Sequence, residues 1–175
     1  MPKASEKQIE IDERKVIDQL RNNSNKSINE IAESLGFSRQ KVWRIVKKLE
    51  KDNIIWGYGA VIDEEKLDLR YFILLLKKNA VPMKSGAIQN ITSREIEKEI
   101  KEMGCDMVSS FYTHGFYDWV ILFTAPNTIQ AKKVSEIFLS RYYEFLTEIK
   151  ILETIFPVKI KGKVNPNIKK LNDLF

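Results

Sequence analysis

Residues 27–49 read SINEIAESLGFSRQKVWRIVKKL, and their spacing predicts two short helices joined by a tight turn. Ser27 offers a side-chain acceptor to the first helical turn, and Glu30 stands three residues on, the capping-box spacing. Ile28, Ile31, Ala32 and Leu35 then give that helix one apolar face. Gly36 follows at once, where positive φ ends a helix at no steric cost. Ser38 is placed to cap the next helix.

The second helix, residues 38–51, has two faces. Val42, Ile45, Val46 and Leu49 fall at i, i+3, i+4 and i+7, a stripe that must be buried, while Arg39, Gln40, Trp43, Arg44 and Lys47 lie mostly opposite. Two Arg and four Lys between 39 and 51 face a single acid, Glu50. A helix, a glycine turn and a basic helix opened by a small polar residue make the helix-turn-helix arrangement, whose second helix enters the DNA major groove. Arg can bond two guanine acceptors and Gln can bond adenine bidentately, so Arg39, Gln40 and Arg44 are the base-reading candidates, with Ser38 at the helix start also in the DNA-binding set. Lys47, Lys48 and Lys51 suit phosphates. Trp43 either packs on a thymine methyl or sugar, or closes the helix against the first one. The bland alternative for the whole stretch is a solvated bundle helix, which does not account for capping, turn glycine and charge asymmetry together.

Upstream, Asp12 is read as the cap of a support helix over 12–23 with Ile9, Val16, Ile17 and Leu20 inside, after a frayed arm at 1–9. Downstream, Asp52 and Asn53 stop the chain, and IIWGYGAVID at 54–63 reads as a short hairpin, the wing of a winged helix. The expected organisation is a DNA-binding domain at 1–63, a hinge at 64–70, a second domain at 71–161 and a tail at 162–175. In the second domain the reading is a strand from Tyr71, a loop over 79–90 containing Pro82 and Gly86, and a helix capped by Thr92 or Ser93. Two strands flanking HGFY, a helix to about 146 and a strand from Ile149 edged at Pro157 follow. Strand, helix, strand, strand, helix, strand is the ferredoxin-like βαββαβ pattern, so the fold class is α+β. Such a sheet carries helices on one face only, and its other face is too apolar to stay exposed, which predicts a homodimer through the sheets.

Composition narrows the chemistry. The 175 residues are 43% apolar, enough to bury a core, and a net charge of +5 favours an anionic partner. One cysteine, Cys105, and one histidine, His114, leave neither a disulfide nor a zinc set, and no cofactor is expected. No apolar run approaches the roughly 18 residues of a membrane span, so a cytoplasmic protein is expected. There is no phosphate loop or nucleophile elbow. His114 with Asp118, or Cys105, are the conceivable catalytic groups, but the plainer readings, a turn histidine and a packed cysteine, are preferred, and the chain is read as not an enzyme.

IDERKVIDQL at 11–20, the helix-turn-helix run continuing to Ile55, GYGAVID at 57–63 and HGFYDWVI at 114–121 together resemble the leucine-responsive regulatory protein (Lrp/AsnC) family. The likeness is carried by Ile11, Asp12, Ser38, Val42, Val46, Leu49, Glu50, Ile54 and Tyr58, then by Gly115, Tyr117, Asp118 and Trp119. It implies a transcription regulator with a RAM-type C-terminal half, dimeric and often assembled into tetramers or octamers. It also implies an amino-acid-type effector bound near a Gly-x-Tyr-Asp-aromatic loop, here His114, Gly115, Phe116 and Asp118. Asp118 can accept from an ammonium group or cap the hairpin backbone; both stay open. The chain departs from the family at Ile45, where many relatives carry Arg, and at His114 and Phe116, where small hydroxyl and polar residues are common. The alternatives are a nucleoid-packing DNA binder, a ligand sensor with little sequence preference, and a decarboxylase-like enzyme reusing the fold.

Overall fold

A computed structural model describes residues 5–83 and 85–174. The chain divides into two units: one runs up to Val61 and takes in Lys159–Pro166, and the other holds Ile62–Val158 and the chain from Asn167 onward.

In the first unit, α1 spans Glu6–Asn22, α2 Ile28–Leu35 and α3 Arg39–Lys51. The capping box forms in both directions: Ser27 Oγ accepts from the Glu30 amide at 3.2 Å, and the Glu30 carboxylate accepts from the Ser27 amide at 2.7 Å. Gly36 closes α2 at φ 65° and ψ 29°, and Ser38 Oγ accepts from the Lys41 amide at 3.3 Å to open α3. Val16, Ile31, Ala32, Val42, Ile45, Val46 and Leu49 form the core on which the three helices close. Asn53 takes φ 54° just after α3, and the Ile54 amide reaches back to the Leu49 carbonyl at 2.9 Å, so Asn does stop the chain as a left-handed residue.

The first unit departs from the sequence expectation at two places. Helix α1 begins at Glu6, capped by Ser5, which leaves Asp12 buried in mid-helix rather than at its start. Nothing between 6 and 12 breaks a helix, and exposed Ile9 and Ile11 hide the periodicity from the sequence. Residues 1–4 of the expected arm lie outside the described residues. The hairpin at 54–63 does not form: the segment carries no strand, neither Gly57 nor Gly59 takes the positive φ of a tight turn, and Trp56 is 95% exposed. A hairpin does belong to this unit, built from β5 (Lys159–Ile160) and β6 (Lys163–Val164).

The second unit contains β1 (Arg70–Lys78), α4 (Ser85–Thr92), α5 (Glu95–Glu102), β2 (Asp106–Tyr112), β3 (Trp119–Ala125), α6 (Thr128–Tyr142) and β4 (Leu146–Glu153). The antiparallel sheet has the order β2-β3-β1-β4, the ferredoxin-like arrangement. Phe72, Leu74, Leu76, Ile121 and Phe123 are fully buried against Ile100, Val134 and Phe138 of the helices. On the opposite face two cross-strand rows run Leu152–Ile73–Leu122–Ser109 and Lys150–Leu75–Val120–Phe111, all only partly buried or exposed. The loop expected over 79–90 folds into α4 from Ser85, because Ala87 and Ile91 find the core. Neither expected hydroxyl caps α5: Thr92 Oγ1 and Ser93 Oγ donate back to the carbonyls of Gln89 and Asn90, and Arg94 at φ 56° opens α5 instead. The tail beyond 162 contributes β6 and a short 3-10 turn at Ile168–Asp173.

Candidate nucleic-acid interface

Burying Val42, Ile45, Val46 and Leu49 turns the rest of α3 outward. Ser38, Arg39, Gln40, Trp43, Arg44, Lys47, Lys48 and Lys51 are all exposed, so every nucleic-acid candidate shares one surface. Their bonding states differ. Among the described residues Arg39, Gln40, Arg44 and Lys51 make no side-chain hydrogen bond or ion pair, which leaves their donors available to bases and phosphates. Lys47 is paired with Glu50 at 2.8 Å, and Glu50 also accepts from the Tyr58 hydroxyl at 3.1 Å. Those two donors hold the Glu50 carboxyl below its usual range. Lys48 reaches Glu13 of α1 at 2.6 Å, and that carboxylate raises the ammonium pKa. Trp43 stands 53% exposed and is not among the buried residues that join α3 to α1.

The support for this helix includes residues that sequence reasoning placed elsewhere. Lys41 lies 2.6 Å from Asp12 and 3.9 Å from the Phe37 ring centroid, so it clamps α3 onto α1 while its side chain stays 43% exposed. The Lys41 ammonium, aided by Gln8, outweighs burial and holds the Asp12 carboxyl below its ordinary value. No local spacing announces a pair whose members sit on separate helices.

The second unit holds the loop between β2 and β3. His114, Gly115 and Phe116 are exposed, and Lys77 Nζ lies 3.9 Å over the Phe116 ring. The Asp118 carboxylate accepts from the Lys78 amide at 2.7 Å, while its own amide donates to the Leu76 carbonyl at 3.0 Å. One Asp118 oxygen is thus engaged by backbone, and His114 is not its partner. A Cβ at Gly115 would meet nothing within 4 Å, so close approach within this chain does not demand glycine there. Cys105 is fully buried, and desolvation pushes its thiol pKa up, the opposite of an activated nucleophile.

Capped helix, left-handed glycine turn and an exposed basic recognition helix define a helix-turn-helix DNA-binding regulator. Residues 13–55 match the winged helix-turn-helix DNA-binding family. The chain is 29% identical over 136 residues to the uncharacterised HTH-type transcriptional regulator PH0061 of Pyrococcus horikoshii, covering 78% of this chain and 81% of that one. The crystal structure of PH0061 superposes with a TM-score of 0.67 at 23% identity over 91% of this chain and 98% of that one. A feast or famine regulatory protein from M. tuberculosis, complexed with L-methionine, superposes with a TM-score of 0.68 at 15% identity over 87% and 96% of the two chains. The HTH-type regulator PF2053 of Pyrococcus furiosus is 44% identical over 61 residues, 35% of this chain and 41% of that one, so that match spans less than half of the relative. The resemblance to the Lrp/AsnC regulators therefore holds for the fold, over 89% of this chain in the superposition on an AsnC family transcriptional regulator from Agrobacterium tumefaciens (TM-score 0.63, 14% identity). Among the described residues no helix is long and apolar enough to cross a membrane.

Proposed function

We propose that this chain is a cytoplasmic, sequence-specific transcription regulator that reads a pseudo-palindromic DNA site as a dimer or higher oligomer. The carrying observation is the outer face of α3, where Arg39, Gln40 and Arg44 are exposed and unpartnered among the described residues while the acids nearby are engaged by Lys47 and Lys48. Arg39 and Gln40 stand in the first turn, where a recognition helix meets base edges, and Lys51 lies at its far end where phosphates pass. Assembly through the open sheet face is supported by Ile73, Leu122, Leu152, Leu75, Val120 and Phe111 of the two cross-strand rows, apolar side chains whose exposure in a lone chain is unfavourable. An amino-acid-type effector near His114, Gly115, Phe116 and Asp118 is supported by the methionine complex of the M. tuberculosis relative. A ligand there alters DNA binding only if it prefers one assembly state. The relatives are regulators and Cys105 is inert by burial, which favours a binding protein over an enzyme.

The test is selection of bound fragments from a random DNA pool at two salt concentrations. A two-fold symmetric site that survives the higher salt supports the proposal. Uniform binding that collapses with salt replaces it with nucleoid packing.

A further inference from the structure

Between Glu153 and Asp173 the chain carries five lysines and no acid, although acids make up 24 of its 175 residues. Three of these lysines, Lys159, Lys161 and Lys163, sit on the β5–β6 hairpin. Its two central residues, Lys161 at φ 45° and Gly162 at φ 81°, both take positive φ, the geometry of a two-residue type I′ turn. Lysine is an unusual choice for that position, where Asn, Asp or Gly fits without strain. The turn places Lys161 at the tip of a two-residue loop.

The hairpin belongs to the helix-turn-helix unit, and Lys163 Nζ donates to the carbonyl of Asn22, the last residue of α1. A lysine at a helix C-terminus meets the negative end of the helix dipole, so this contact anchors the hairpin. Lys163 pairs with Ile160 across the ladder, and Lys159 with Val164. Side chains alternate between faces, so anchoring through the Ile160–Lys163 pair leaves Lys159 on the other face and Lys161 at the tip. Both are exposed and make no hydrogen bond or ion pair among the described residues. The anchor point lies just before the turn that leads into α2, whose cap Ser27 follows Lys26. In a helix-turn-helix the first of the two helices crosses the phosphate backbone. The segment 54–63, where a wing was expected, offers no cation between Lys51 and Lys66.

We propose that the β5–β6 hairpin is a second DNA-contacting element that lays Lys159 and Lys161 on the phosphate strand crossed by α2, with Lys163 as its positioning residue. The contact is sequence-independent: two ammonium groups release counterions, and no group on the hairpin reads a base. The inference rests on the DNA-binding reading of α3 but adds an element from the other end of the chain.

The experiment compares the full-length wild type with the double variant Lys159→Ala/Lys161→Ala, by fluorescence anisotropy on the selected site and on an unrelated duplex at 50 and 200 mM salt. Each phosphate contact contributes about 0.9 to the slope of log K against log salt, so the variant slope is shallower by about 1.8. Over that fourfold salt change the variant then loses about twelvefold less affinity than the wild type. Both duplexes weaken alike and the preferred sequence is unchanged. Wild-type binding with the same slope in the variant overturns the hairpin alone, and a wild type that binds no DNA overturns both readings. Lys163→Ala, with both contacting lysines intact, lowers affinity on both duplexes in the same way, and unchanged affinity removes its positioning role.

Discussion

Lys41 Nζ and Asp12 Oδ2 lie 2.6 Å apart, with the aspartate side chain only 6% exposed and the lysine side chain still 43% exposed. The acid therefore gives up most of its hydration, and the lysine and Gln8, whose amide donates at 3.0 Å, replace it. Asp12→Ala removes an acceptor for a charged donor, an effect of roughly 1–3 kcal/mol, with the lower half expected because Lys41 can rehydrate. Urea unfolding measures it. The pH dependence has a definite sign. The folded pKa is lowered, so the contribution is complete above the unfolded value near 4 and is lost as pH falls through that value toward the folded one. Asp12→Asn consequently loses less stability than the wild type between about pH 5 and pH 3; parallel curves refute the assignment.

Gly36 sits at φ 65°, and a Cβ there would meet nothing within 4 Å. The conformation alone makes Gly36→Ala unfavourable, by about 1–2 kcal/mol. Gly36→Asn, which tolerates the left-handed region, should lose less in the same unfolding assay.

Arg44 and Lys51 separate reading from holding. Arg44→Ala should relax preference at one base position, at about 1–3 kcal/mol on the preferred site. Lys51→Ala should weaken all sites alike and make the salt slope shallower by about 0.9. Lys48→Ala should change binding and the salt slope less than Lys51→Ala, because Glu13 already engages its ammonium, and it should also cost some stability, since Glu13, whose side chain is 14% exposed, then lacks its partner. Unaltered sequence preference in the Arg44 variant removes its base-reading role.

Ile73 lies between Leu122 and Leu152 on the open sheet face. Ile73→Lys puts a charge where a second copy is expected to pack. Analytical ultracentrifugation should find a lighter species than wild type, and affinity for a two-fold site should fall by about 10²-fold or more as avidity is lost, with half-site binding retained. An unchanged mass places the interface elsewhere.

The recognition face was legible because its signals are local. Ser27, Glu30, Gly36 and Ser38 act within one helical turn, and the buried stripe of α3 leaves Arg39, Gln40 and Arg44 only one side to occupy. The ferredoxin-like strand order was legible for a similar reason, since alternation and the length of each apolar run are properties of contiguous residues. Helix α4 was missed because Ala87 and Ile91 gain only from a core assembled by distant strands. The start of α1 was missed because exposed Ile9 and Ile11 break the pattern that would have announced it. At 54–63 two glycines between aromatic residues imitate a hairpin, yet neither takes the turn conformation.

What the amino-acid sequence alone determined is the set of elements whose physics is short-range: the capped helix-turn-helix, the polarity of α3 and the βαββαβ order. Tertiary structure decided which charges remain free. Lys41 and Lys48 look like Lys51 in the sequence, but α1 brings Asp12 and Glu13 to the first two and nothing to the third. It also decided that Asp118 supports the Lys78 backbone, and that Lys159–Pro166 joins the DNA-binding unit. Each of these depends on residues far apart in the chain meeting within a few ångströms, and Coulomb and hydrogen-bond energies depend on that separation alone, whatever the spacing along the sequence.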